Sequence, residues 1–164
     1  MSVKVFFING FLEAGKTTYI KQLIRDDSAN VFGRILIIAC EEGEVEYDVD
    51  KLSDVDIDIE YIEDRDDFND EYLTGIENKY NPDCIIVEFN GMWDKRNIEI
   101  PWHWKDIIET TIFDASTFKL YAKNMRSHIA EHVRSAGTTI FNRCDIVRNE
   151  LPVYTRNIKA INRN

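Results

Sequence analysis

The sequence predicts a three-layer α/β protein, a mainly parallel sheet with helices on both faces. Two observations carry this expectation. Apolar runs of strand length alternate with helical spacings along nearly all of the 164 residues, the pattern left by strand–helix–strand crossovers. Two of the runs, RILIIAC (34–40) and CIIV (84–87), lack polar alternation, as strands covered on both faces do.

Taken in order, Val3 to Ile8 is a β-rich run closed by Asn9-Gly10. Thr17 to Arg25 carries Ile20, Leu23 and Ile24 at helical spacing. Arg34 to Cys40 is the first buried strand. Asp56 to Ile62, DIDIEYI, alternates polar and apolar, which suits an edge strand. Asp66 to Tyr80 reads as a helix with Phe68, Tyr72, Leu73 and Ile76 on one side, broken by Asn81-Pro82-Asp83. Cys84 to Val87 is the second buried strand and delivers Glu88 to its end. Thr110 to Phe113 is a short strand, and Ser116 to Arg134 reads as one helix. Thr138 to Phe141 is a further strand, ending at Asn142. Leu151 to Ile161 is a last helix with Pro152 in its first turn. Residues 92–106 are irregular and hold all three tryptophans, Trp93, Trp102 and Trp104. They are expected to form a packed connecting loop, with partner docking as the sharper alternative.

Composition bounds the function. Hydrophobic content of 44% beside 30% charge is that of a folded globular chain, not a disordered one. No apolar run is long enough to span a bilayer, and the N-terminal run ends too early for a secretory signal, so a cytoplasmic protein is expected. Cys40, Cys84 and Cys144 are odd in number and far apart, which implies no disulfide framework. Net charge is -10, and residues 41–72 hold sixteen Asp and Glu against Lys51 and Arg65. Such a belt repels phosphate backbones, so nucleic acid is not an expected partner. The plain reading of the belt is a solvated surface; a basic partner or cations are the alternatives.

Gly10-Phe11-Leu12-Glu13-Ala14-Gly15-Lys16-Thr17 matches G-x4-G-K-[ST] in full, between a buried strand and a helix. In that setting the loop's N–H groups and the helix N-terminus face phosphate oxygens. Lys16 reaches the β- and γ-phosphates, and the Thr17 hydroxyl coordinates Mg²⁺. Gly10, Glu13, Ala14, Gly15, Lys16, Thr17 and Thr18 are thus the expected phosphate-binding residues of a three-layer P-loop NTPase fold. At the end of a later strand, Asn142-Arg143-Cys144-Asp145 has the form N-K-x-D with Arg for Lys. A carboxylate at Asp145 accepts from guanine N1–H and N2–H₂ together, whereas adenine leaves it unpaired. The stem of Arg143 lies over the base or stacks on it. Glu88 arrives at a strand's C-terminal end, where open α/β sheets bind ligands. It is expected to bind Mg²⁺ or to orient the attacking water, and with Lys16 forms the expected catalytic pair. Gly91, three residues on, can offer its N–H to a γ-phosphate.

GFLEAGKTT, VEFNG and NRCD together resemble the CobW/HypB/UreG group of metallochaperone-type P-loop GTPases, most closely its CobW-like branch. CEEGEVEYD (40–48) resembles that family's N-E-F-G-E-x-x-x-D switch segment. The resemblance runs from residue 3 to about 161 and implies GTP and GDP as ligands with Mg²⁺ as cofactor. Glu41, Glu44 and Asp48 would then form a first switch near the metal, with Thr17 and Glu88 as the other metal residues. Glu88 and Gly91 would form the second switch, and Asn142 and Asp145 would read guanine. GTP hydrolysis would drive delivery of a metal to a receiving protein. The chain lacks the family's usual C-x-C-C motif, having no cysteine between Cys40 and Cys84. A transition metal such as Zn²⁺ is left with Cys40, Glu41 and the nearby acids, and Cys40 reads first as a small buried residue. His128 and His132, four apart on an expected helix, can share a face, and the plain reading is an exposed pair that is structural or incidental. The chain is expected to be one GTPase domain, 1–164, cut short before its last strand and a C-terminal domain. Two rivals stay open: a small-molecule kinase using the same loop, and a non-enzymatic nucleotide-dependent docking module.

Overall fold

The computed structural model describes residues 3–26, 31–41, 47–48 and 56–163. Among these, six strands form one parallel sheet: β1 (Lys4–Asn9), β2 (Ile35–Ala39), β3 (Ile57–Tyr61), β4 (Cys84–Glu88), β5 (Ile108–Asp114) and β6 (Thr138–Asn142), in the order β3-β2-β4-β1-β5-β6. The helices are α1 (Lys16–Asp26), α2 (Asp70–Tyr80), α3 (Ala115–Asn124), α4 (Arg126–Ser135) and α5 (Leu151–Ile161). This is the expected α/β P-loop NTPase architecture.

Burial follows the sequence pattern. Every residue of β2 and β4 is buried, because both strands are central and helices cover both faces. β3 is only half-buried and lies at an edge, as its alternation predicts. Ile8, Ile35, Ile37, Ile86 and Ile112 pack with Ile20 and Ile24 of α1. Val5, Phe7, Leu36, Ile38, Ile85 and Val87 pack with Leu73 and Ile76 of α2 and with Trp104. A third cluster joins Phe113 to Phe118, Ile129, Val133, Tyr154 and Ile158 of α3, α4 and α5. Among the described residues no helix is long and apolar enough to cross a membrane.

Two helix expectations need correction. The expected helix from Ser116 to Arg134 is two helices, broken at Met125, whose φ of -131° and ψ of 43° are not helical. Asn124 Nδ2 donates to the Leu120 carbonyl at 3.0 Å there. Neither Gly nor Pro marks the break, and the apolar spacing continues through it, so local sequence carries no signal. The helix expected from Asp66 instead starts at Asp70, capped by Asn69, whose side chain accepts from the Tyr72 N–H at 3.0 Å. A short 3₁₀ turn, Arg65–Asp67, precedes it. The tryptophan segment is mostly packed: Trp104 is buried and its indole donates to Glu77 at 2.7 Å, while Trp102 stays exposed.

Candidate functional site

β1 lies between β4 and β5, so its C-terminal end meets the ends of both neighbours. The loop after it closes tightly, with the Ala14 N–H donating to the Phe11 carbonyl at 3.2 Å. Lys16, the first residue of α1, turns back into this loop. Its Nζ donates to the carbonyls of Gly10 at 2.8 Å and Phe11 at 2.9 Å and pairs with the Glu41 carboxylate. The ammonium is buried, at 2% exposure, and these three oxygens compensate it. Burial pushes the Glu41 carboxyl above its ordinary range and outweighs the attraction of Lys16.

Thr17 follows on α1 and faces β4. Its hydroxyl donates to one oxygen of the buried Glu88 at 2.6 Å, and the Tyr47 hydroxyl donates to the other at 2.6 Å. Burial, then the Glu88 charge, pushes the Tyr47 phenol far up, so it remains a donor.

The loop after β4 presses on the loop after β1. A Cβ on Gly91 would lie 2.2 Å from the Gly10 carbonyl oxygen, so only glycine fits there. On the other side, Gly15 has φ of 101°, and a Cβ on it would lie 2.5 Å from Asn142 Nδ2. Asn142, the last residue of β6, donates to the Ala14 carbonyl at 3.2 Å. Arg143, left-handed at φ 53°, donates to the Glu13 carbonyl at 2.9 Å and pairs with Asp114. Asp114 ends β5 and caps α3 through the Ser116 N–H at 2.8 Å. Burial opposes its ionisation, but the bonds from Ser116 and Arg143 hold its carboxyl below the usual range.

The structure therefore gathers Gly10, Glu13, Ala14, Gly15, Lys16, Thr17, Glu41, Glu88, Gly91, Asn142 and Arg143 around one loop. Thr18 is exposed in the first turn of α1, Asp145 is exposed on the turn Cys144–Val147, and Asp48 is exposed beside Tyr47. Glu44 lies outside the described residues.

Three further residues at this site escaped sequence reading. Tyr47 lies inside the segment read as the first switch, and only its contact with Glu88 reveals it. Asp114 stands at the C-terminal end of a strand, the criterion that selected Glu88. His132 had been expected in an exposed pair, which the structure corrects. It is buried at 1% exposure, Nε2 lies 2.9 Å from the Gly91 carbonyl, and its ring meets Phe11 edge-on. Burial, reinforced by the charge of Lys95, lowers its pKa to about 4. It was missed because packing of α4 on the sheet, not helical spacing, buries it. His132 Nδ1 and both side-chain amide atoms of Asn9 are buried without a hydrogen-bond partner among the described residues.

Hard oxygen donors from Thr17 and Glu88, together, suit Mg²⁺. Cys40 does not suit a thiolate metal site: it is buried, and desolvation drives its thiol well up. Among the described residues no three His, Cys, Asp or Glu side chains converge as a metal site.

Residues 4–164 match the family model described as CobW/HypB/UreG, nucleotide-binding domain. No curated protein sequence matches the chain. With that match covering nearly every residue, and with a parallel sheet carrying the glycine-lysine loop on a central strand, the chain belongs to the CobW/HypB/UreG family.

Proposed function

We propose that this domain binds GTP with Mg²⁺, hydrolyses it slowly, and acts as a switch in metal handling that passes a metal to a receiving protein. The observation that carries the reading is the bond from Thr17 to Glu88, which joins the helix after the loop to the strand end where a water-orienting acid belongs. Lys16 now pairs with Glu41; incoming phosphate oxygens replace that carboxylate. Thr17 and Glu88 would hold Mg²⁺, which would supply charge neutralisation for the phosphate oxygens. Glu88 orients the water that attacks the γ-phosphate in line, and Lys16 stabilises the charge that develops on the phosphate oxygens. Asp145 pairs with the guanine edge while Asn142 and Arg143 brace the loop. Turnover is slow, as in such sites until a partner adds a cation. The acidic belt of residues 41–72 supports handling of a cationic cargo.

The test is titration of the chain with fluorescent GTP, GDP and ATP analogues, with and without Mg²⁺, followed by phosphate release. Lys16→Ala serves as the variant without tight binding. Guanine preference with Mg²⁺-dependent phosphate release supports the reading. Equal adenine binding, or phosphate transfer to an acceptor other than water, overturns it.

A further inference from the structure

We infer that His132 is a positioning residue for the loop that senses the γ-phosphate, fixing Gly91 through a hydrogen bond to its carbonyl. The inference rests on the reading of Gly91 as the phosphate-sensing glycine.

A carbonyl oxygen only accepts, so the 2.9 Å contact requires the proton on Nε2. The ring stays neutral in its buried place, which leaves Nδ1 as an acceptor. Among the described residues Nδ1 has no partner, and the Gly91 bond is the ring's one hydrogen bond to them. His132 is itself held on both sides. Its carbonyl accepts from the Thr111 hydroxyl of β5 at 2.9 Å, and its ring stands edge-on to Phe11 at 5.9 Å. Phe11 is the residue whose carbonyl accepts from Lys16. The imidazole thus bridges the loop after β4 and the loop after β1, at the point where Gly91 rests on Gly10.

The loop after β4 leaves the sheet at Phe89, whose N–H donates to the Ile8 carbonyl of β1 at 3.0 Å, and then turns on itself. The Met92 N–H donates to the Asn90 side chain at 3.0 Å, and the Trp93 N–H donates to the Asn90 carbonyl at 3.0 Å. These bonds shape the turn, and His132 holds Gly91, two residues beyond Phe89, from α4. Asn9 pairs in register with Thr111, and its buried side-chain amide has no partner among the described residues. Buried polar atoms without partners are rare. Here they lie by the loop whose Gly91 N–H, on this inference, a γ-phosphate draws.

The experiment compares wild type, His132→Phe, which keeps a ring and loses the donor, and His132→Gln, which keeps an N–H donor. Affinities for fluorescent GDP and for a non-hydrolysable GTP analogue are measured with Mg²⁺, with folding checked by thermal unfolding. In His132→Phe the GTP analogue is expected to weaken about tenfold relative to GDP, and His132→Gln to recover most of the loss. An equal change for both nucleotides, or none, overturns the inference. Imidazole ¹⁵N spectra of the wild type give a second readout should His132→Phe fail to fold. The Nε2–H tautomer, with a resonance that moves on adding the GTP analogue but not GDP, supports the role; a resonance unmoved by both overturns it. Wild type that binds no guanine nucleotide overturns the functional reading itself, and the inference with it.

Discussion

The Thr17 hydroxyl donates to Glu88 Oε1 at 2.6 Å, across 71 positions of sequence. That bond ties the first turn of α1 to the end of β4 and, with Tyr47 on the other oxygen, sets the direction of a buried carboxylate. Two donors on one carboxylate leave it little rotational freedom.

Glu88→Gln keeps an acceptor for Thr17 but loses the charge and sets an amide against the Tyr47 hydroxyl. Hydrolysis should fall by about 10²–10⁴-fold, the size of a lost acid–base or water-orienting group. GDP affinity should stay within about threefold, since the loss falls on the transition state. Single-turnover phosphate release and GDP titration measure the two separately.

Glu41→Gln leaves the buried Lys16 ammonium without its counter-charge. Breaking one side of a buried pair costs about 3–5 kcal/mol, so the nucleotide-free protein should melt at a distinctly lower temperature. Added GDP supplies phosphate oxygens to Lys16 and should restore more stability to the variant than to wild type. Thermal unfolding with and without GDP tests this; equal ligand-induced gains would argue against Lys16 as the phosphate-binding cation.

Asp145→Asn should exchange guanine for xanthine preference, because a carboxamide donates where the carboxylate accepts. The loss of GTP affinity should be about 1–3 kcal/mol or more, the cost of a mispaired polar group. Competition of GTP and XTP against a fluorescent nucleotide reads it out, and an unchanged order would remove guanine as the base read by this strand end.

His132 makes stability depend on pH with a definite sign. Its folded pKa of about 4 lies below the unfolded value of 6.5. The unfolded chain therefore binds the proton first, and stability is lost as pH falls from about 6.5 through 4. The loss from this group should reach about 2 kcal/mol at pH 5. Urea unfolding of wild type and His132→Gln at pH 7 and pH 5 isolates it: the stability difference between them should move against wild type as pH falls. A pH-independent difference would mean that His132 is not buried neutral.

The sequence by itself determined the class of fold, the glycine-lysine loop after the first strand and the strand-end residues Glu88 and Asn142. Each is written in local order: uninterrupted apolar runs for central strands, glycines and lysine at fixed spacing, a polar residue where a buried run stops. Tertiary structure alone decided which strand ends stand side by side. The order β3-β2-β4-β1-β5-β6 comes from crossovers that local pattern does not encode, and it alone brings Glu88 to Thr17 and Asn142 to Ala14. It also decided that His132 is buried against Gly91 and that the chain leaves the helix at Met125. Those outcomes depend on which surface a helix packs against, and a helix carrying polar and apolar residues in an unbroken period does not announce where it bends or which of its histidines meets a carbonyl.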